Sequence, residues 1–251
     1  MTTDTQPKAL SKTVVIQGKP VTLTGFAKGA GMIAPNMATM LGFVLTDAHV
    51  KQNTLQKMVV KNTQKTFNAI TIDGDMSTND SFIVLANKKS QVKIQGKKSK
   101  DLFEKALFEI MEELAKKIVQ DGEGATKLVE IWVEGAKNKK DAQKVGITIA
   151  NSLLVKTAFF GNDPNWGRIL AAAGRSGAKI KENLVDLFYL DQFIFKQGQP
   201  VAFDKKELAK KLQNTKEILI KINLNQGKIK KRFFTCDLSY DYVKINAEYT
   251  T

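Results

Sequence analysis

The chain has 251 residues, 43% of them hydrophobic, with one His, one Cys and a formal net charge of +14. A lone His49 and a lone Cys236 exclude a zinc site built from several such ligands and any disulfide within the chain. No stretch approaches the roughly 20 apolar residues of a membrane span, and residues 1–7 lack the apolar segment of a signal peptide, so a soluble, cytoplasmic protein is expected.

The basic charge is a weak pointer to nucleic acid. Only three of the 39 basic residues are Arg (Arg168, Arg175 and Arg232), whereas phosphate clamping and base readout favour Arg. The Lys residues are scattered over helix faces and loops, with no aromatic residues interleaved to stack on bases. A solvated Lys-rich surface is the expectation, with no nucleic-acid or membrane partner; such a field can still attract small acidic substrates.

In chain order, residues 13–16 and 21–24 are rich in β-branched types and joined by Gln17-Gly-Lys-Pro20, which predicts a hairpin over 13–26. A Gly/Pro loop over 28–37 precedes the apolar strand that starts at Thr39. His49 ends that strand-like run as a surface or helix-start residue, residues 51–63 suit a helix, and 67–72 alternate like a strand. The run 73–80 is dense in turn and capping types, with Ser77, Thr78 and Asn79 suited to cap a helix or precede a strand at 82–86.

The clearest helix covers 101–119, with Leu102, Ala106, Ile110, Leu114 and Ile118 on one stripe. A strand follows at 127–133, helices at 140–153 and 166–173, and strand-rich sequence at 184–202. Residues 205–213 read as a helix, and 216–223, 229–236 and 240–246 as strands, with Cys236 a buried, inert thiol. Strands and helices mix without regular βαβ alternation. The expected fold class is therefore α/β, a layered sandwich of mixed sheets and helices rather than a doubly wound sheet.

Four Gly-rich polar segments interrupt this framework, at 28–39, 73–80, 121–126 and 161–168. Gly29-Ala-Gly31 lacks the third Gly and the helix of a dinucleotide fingerprint. Asp73 and Asp75 suggest either a metal site or, more commonly, a capped turn. Glu123, between two glycines, reads equally as part of a helix C-cap or as an anion placed to orient a substrate amine. The bond between Ala38 and Thr39 joins a small residue to a Thr after a Gly/Pro loop and before a strand. It suits self-cleavage, in which the Thr39 hydroxyl attacks the Ala38 carbonyl. The freed α-amine, with a pKa near 8, could then serve as general base beside its own hydroxyl.

Taken together, residues 27–41, 73–80, 121–127, 156–168 and 236–250 resemble the ornithine acetyltransferase (glutamate N-acetyltransferase) family of arginine biosynthesis, in the family's order and across nearly the whole chain. The resemblance implies cleavage at Ala38–Thr39 into two subunits and transfer of acetyl from N-acetylornithine to glutamate through an ester on Thr39. It assigns Thr39 as the nucleophile and Thr2, Lys28, Thr39, Glu123, Asn246 and Thr251 as substrate-binding positions, with no cofactor or metal and with acetyl-CoA as a second donor in some members. Lys28 would pair with an α-carboxylate and Glu123 with the δ-ammonium of ornithine. The implied organisation is 1–38 as the end of an upstream subunit and 39–251 as the downstream one, partners in a hetero-oligomer. Family members carry a long segment before the position of Met1, holding a Thr-Gly pair that resembles an oxyanion hole. Two alternatives follow: a non-catalytic fragment that needs a separate upstream subunit, and an amide hydrolase using the same N-terminal Thr.

Overall fold

The fold is taken from a computed structural model, which describes residues 2–34, 40–77 and 79–248. The chain divides into two compact units, Met1–Asp121 and Gly122–Thr251. Each is a mixed sheet carrying helices, in agreement with a layered α/β class and without the strand order of a doubly wound sheet.

In the first unit, β1 (Lys8–Ile16) and β2 (Lys19–Lys28) form the hairpin, longer than its β-branched cores suggested. Gln17 and Gly18, both at positive φ (54° and 74°), make the two-residue turn whose twist matches the strands. β2 continues antiparallel into β3 (Leu41–Thr46), and β3 pairs in parallel with β4 (Ser81–Ala86), giving the order β1-β2-β3-β4. α1 (Gln52–Thr63) and the long α2 (Lys97–Gln120) complete the unit.

The apolar stripe of α2, including Phe103, Leu107, Ile110, Leu114 and Ile118, is buried. Each such side chain contributes about 1.5–3 kcal/mol by leaving water. The approach to the sheet is close: a Cβ on Gly25 would lie 2.7 Å from Ile110 and 2.9 Å from Leu114. The other face of the same sheet is apolar and open. Strand alternation and register place Phe26, Leu41, Phe43, Leu45, Ile83 and Leu85 on it. The Phe26 and Phe43 rings stack at 5.5 Å, and Leu85 is 55% exposed. One face of this sheet is a core; the other is a surface with core composition.

In the second unit, the six-stranded order is β10-β5-β9-β6-β7-β8. It comprises β5 (Leu128–Ala136), β6 (Asp186–Tyr189), β7 (Gln192–Lys196), β8 (Gln199–Pro200), β9 (Glu217–Asn223) and β10 (Ile229–Cys236). Only β5 and β9 run parallel within it. The remaining helices are α3 (Lys139–Ala150), α4 (Leu153–Phe160), α5 (Trp166–Gly174), α6 (Lys205–Asn214) and α7 (Tyr240–Glu248). α3 lies so close to β10 that a Cβ on Gly146 would sit 2.0 Å from the Phe233 ring. Caps mark the starts: Asn138, Asn165 and Asp204 each accept from backbone N–H groups of the first turn.

Three elements differ from the sequence reading. Residues 67–72 are not a strand: a 3-10 turn covers Phe67–Ala69, and Phe67, Ala69, Ile70 and Ile72 are buried without a ladder. Their alternation reflects core contacts in an irregular segment. The helix expected over 140–153 ends at Ala150, and α4 starts afresh at Leu153 after Ser152.

The third difference is the tail, a helix instead of a last strand. α7 buries none of its residues, and Tyr240 and Val243 are 84% and 63% exposed. Aromatic and β-branched residues mimicked strand composition, while the spacing Tyr240, Val243, Ala247 was helical. Thr78 lies outside the described residues. No helix among the described residues is long and apolar enough to cross a membrane.

Candidate active site

The Gly-rich segments form two constellations, one in each unit. In the first, Lys28 ends β2 opposite Leu41, and Gly29 turns the chain at φ 140°. The Gly29 N–H donates to Asp4 Oδ1 at 2.7 Å. The loop after it hangs on the 71–75 segment. Met32 and Ile33 donate their N–H groups to Asp73 at 2.7 and 3.1 Å, and the Ile33 carbonyl accepts from Thr71 Oγ1 and from the Ile72 N–H. Asp73 also accepts from the Asp75 N–H, so the acidic pair is a turn anchor. The described residues hold no group of three or more His, Cys, Asp or Glu that could ligate a metal.

On the far side of residues 35–39, the Met40 N–H donates to Asp80 Oδ1. Burial pushes the Asp80 carboxyl above the ordinary carboxylate value, against the pull of that N–H and of the Lys28 charge. Asp80 Oδ2 is buried without a hydrogen-bond partner among the described residues. Thr2 is described and exposed, whereas Ala38, Thr39 and Thr251 lie outside the described residues. His49 sits in a one-residue bridge to Lys93 ahead of α1, its N–H donating to the Val92 carbonyl.

In the second unit, three segments distant in sequence converge. Glu123 Oε2 accepts from Asn246 Nδ2 at 2.8 Å, and the same Nδ2 donates to the Tyr242 carbonyl at 3.0 Å, one turn back on α7. The helical tail is what brings Asn246 to Glu123. Glu123 Oε1 has no hydrogen-bond partner among the described residues.

Gly124 follows at φ 67°. A Cβ there would stand 2.5 Å from the Tyr242 N and 2.7 Å from Ser239 Oγ, so only glycine lets the loop and tail meet. Ser239 Oγ donates to the Gly124 carbonyl at 2.6 Å. Next, Asp237 accepts from the Thr126 N–H at 2.8 Å and the Lys127 N–H at 2.9 Å on Oδ1, and from Thr126 Oγ1 on Oδ2.

The 156–168 segment supports this junction from below. Lys156, 2% exposed, donates to the Cys236 carbonyl and, at 3.2 Å, to Thr235 Oγ1. Cys236 is 1% exposed, as expected for an inert thiol in a strand. Lys127 is held by the carbonyls of Leu212 and Thr215 at 2.6 and 3.0 Å. Burial pulls its ammonium below the ordinary 10.5, and the Asp237 charge partly restores it. Asn165 caps α5, and Arg168 donates to the Leu154 carbonyl at 2.8 Å, so both serve structure here.

Sequence reasoning missed most of the holders: Asp4, Lys8, Asp80, Asp121, Asp237 and Ser239. One trait links several of them: a carboxylate or hydroxyl beside a Gly-rich turn, where backbone N–H groups without a ladder need acceptors.

A family model described as the ArgJ family matches residues 1–251. Among curated proteins, the chain is 49% identical over 260 residues to the glutamate N-acetyltransferase of Methanocaldococcus jannaschii, covering all of this chain and 64% of that protein. It is also 49% identical to the arginine biosynthesis bifunctional protein ArgJ of Caldanaerobacter subterraneus, again covering all of this chain and 64% of the relative. The chain thus spans a little under two thirds of the length of these relatives.

A crystal structure of the arginine biosynthesis bifunctional protein argJ from Bacillus halodurans superposes with a TM-score of 0.80 at 41% identity, covering 82% of this chain and 98% of that one. The match of the family model over every residue, with relatives at 49% identity, decides the affiliation: the chain belongs to the ArgJ family.

Proposed function

We propose that this chain is an N-acetyltransferase of arginine biosynthesis, working in the cytoplasm, that carries acetyl on Thr39 from N-acetylornithine to glutamate. In this reading, the Thr39 hydroxyl first attacks the Ala38 carbonyl, and water hydrolyses the resulting ester to leave 1–38 and 39–251. The freed amine then takes the hydroxyl proton as Oγ attacks the acetyl carbon. It returns that proton to the departing ornithine amine, leaving an acetyl-Thr39 ester for the glutamate amine to open. The family's relatives are named for glutamate N-acetylation and arginine biosynthesis.

The observation that carries the reading is the Glu123–Asn246 pair. A half-buried carboxylate is oriented by one amide, and its second oxygen has no partner among the described residues, as recognition of a substrate ammonium requires. Lys28, at the end of β2, supplies the opposite charge for an α-carboxylate.

The open apolar face of the four-stranded sheet supports a partner polypeptide in a hetero-oligomer.

Glu123→Gln tests the substrate assignment. It keeps the size and the acceptor for Asn246 but removes the charge, so kcat/KM for N-acetylornithine should fall roughly 10- to 100-fold, the value of a charged hydrogen bond. Steady-state kinetics with the fold checked by circular dichroism measures this. A fall under threefold rejects the role of Glu123.

A further inference from the structure

Lys8 opens β1 with its side chain 1% exposed, between two carboxylates that are themselves 3% and 4% exposed, Asp4 and Asp121. Its Nζ donates to Asp4 Oδ1 at 2.6 Å and to Asp121 Oδ2. Asp121 accepts in addition from the Thr5 N–H and hydroxyl and from the Gln6 N–H. Asp4 Oδ1 is the same oxygen that takes the Gly29 N–H. One buried ammonium therefore joins the N-terminal segment, the end of β2 and the C-terminus of α2.

Two features set this cluster apart from ordinary stabilisation. First, it buries three charges with a net charge of −1, although apolar side chains of similar volume commonly match or exceed a buried ion network in stability. Second, residues 2–7 pair with no strand among the described residues, so carboxylates replace a ladder in holding them. Burial pushes the Asp4 carboxyl up, and the Gly29 N–H with the Lys8 ammonium outweighs it, holding the group below 3.8. Carboxylates held so by backbone N–H groups act as fixed points of a chain path.

We infer that Lys8 is a positioning residue: by clamping Asp4 and Asp121 it fixes Thr2, two residues before Asp4, and Lys28, one residue before Gly29, to receive the α-carboxylate of the amino-acid substrate. This deepens the function proposed above and rests on it. The ammonium of Lys28 and the hydroxyl of Thr2 belong to chain segments that share Asp4 as their common anchor. Releasing that anchor loosens the site without removing a single group from it.

The test uses Lys8→Met in the whole chain, with the wild type alongside. Amide exchange of Thr5, Gln6 and Gly29 should accelerate at least about tenfold, while the Val44 amide in the central strand keeps its rate. The KM for N-acetylornithine should rise at least about tenfold with kcat of the folded enzyme within about threefold, because positioning and not chemistry is lost. A merely structural Lys8 would lower the melting temperature and leave that KM unchanged.

Unchanged exchange at Gly29, or a wild-type KM in folded Lys8→Met, overturns the inference. Should Lys8→Met fail to fold, Asp4→Asn keeps the acceptor for Gly29, removes the charge facing Lys8, and must show the same rise in KM. A wild type that transfers no acetyl overturns the proposed function instead, and the exchange rates then decide the clamp on their own.

Discussion

Thr39→Ala should leave the chain uncut at Ala38–Thr39 and lower acetyl transfer by at least about 1,000-fold, the scale on which loss of a covalent nucleophile is felt. In the proposed mechanism both effects follow from one atom, since the same hydroxyl would act first against its own peptide and later against the acetyl donor. Thr39→Ser keeps that oxygen and loses the methyl that restricts its rotamers, so it should cleave and turn over within roughly tenfold of wild type. Intact-mass spectrometry reads the cut as two fragments, one starting at Thr39. Steady-state transfer to glutamate reads the rest. An uncut Thr39→Ala protein that still transfers acetyl at the wild-type rate would remove Thr39 from the mechanism.

Asp237→Ala should damage both stability and activity. Asp237 is 2% exposed and accepts two backbone N–H groups and one hydroxyl from Thr126 and Lys127. Truncation strands the Lys127 N–H away from water, whereas Thr126 is exposed and its donors can turn to solvent, so a loss of about 2–3 kcal/mol is expected. That corresponds to a fall in Tm of roughly 5–10 °C. It also frees the loop that carries Glu123, so kcat/KM measured well below the melting range should drop too.

Asp237→Asn separates the two roles of the side chain. Its Oδ1 can still take both N–H groups, and its Nδ2 can donate to the Thr126 hydroxyl, so it should lose no more than about 1.5 kcal/mol. Thermal unfolding of the pair of variants measures the difference. An Asp237→Ala protein that melts at the wild-type temperature would show that the carboxylate is not the loop's anchor.

The layered α/β class, the hairpin and α2 were legible because each is set by a repeating apolar pattern. The stripe through Ala106, Ile110 and Leu114 has no competing explanation, and Gly18 marks its turn. Residues 67–72 and 240–246 were misread for one reason. Both carry β-branched or aromatic residues over a span too short for period to outweigh composition. Family resemblance named both Glu123 and Asn246 as substrate-binding positions, but no local pattern announced their hydrogen bond across 123 positions. Its supports were hidden for a related reason. Asp4, Asp121 and Asp237 are ordinary acidic residues until the fold shows which backbone N–H groups they serve.

The order β1-β2-β3-β4 settles what a cut at Ala38–Thr39 would do to the protein as an object. The two pieces would own adjacent strands of one sheet: β1 and β2 on one, β3 and β4 on the other, with the seam running through the six residue pairs from Leu23↔Thr46 to Lys28↔Leu41. Val21 and Leu23 upstream of the cut, and Val44 and Ile110 downstream, are all fully buried in the same unit. Breaking the covalent link would therefore create two new termini without releasing either fragment. The nicked protein should migrate as two bands in detergent and elute as a single species from a sizing column, its joint maintained by a ladder in place of a peptide bond.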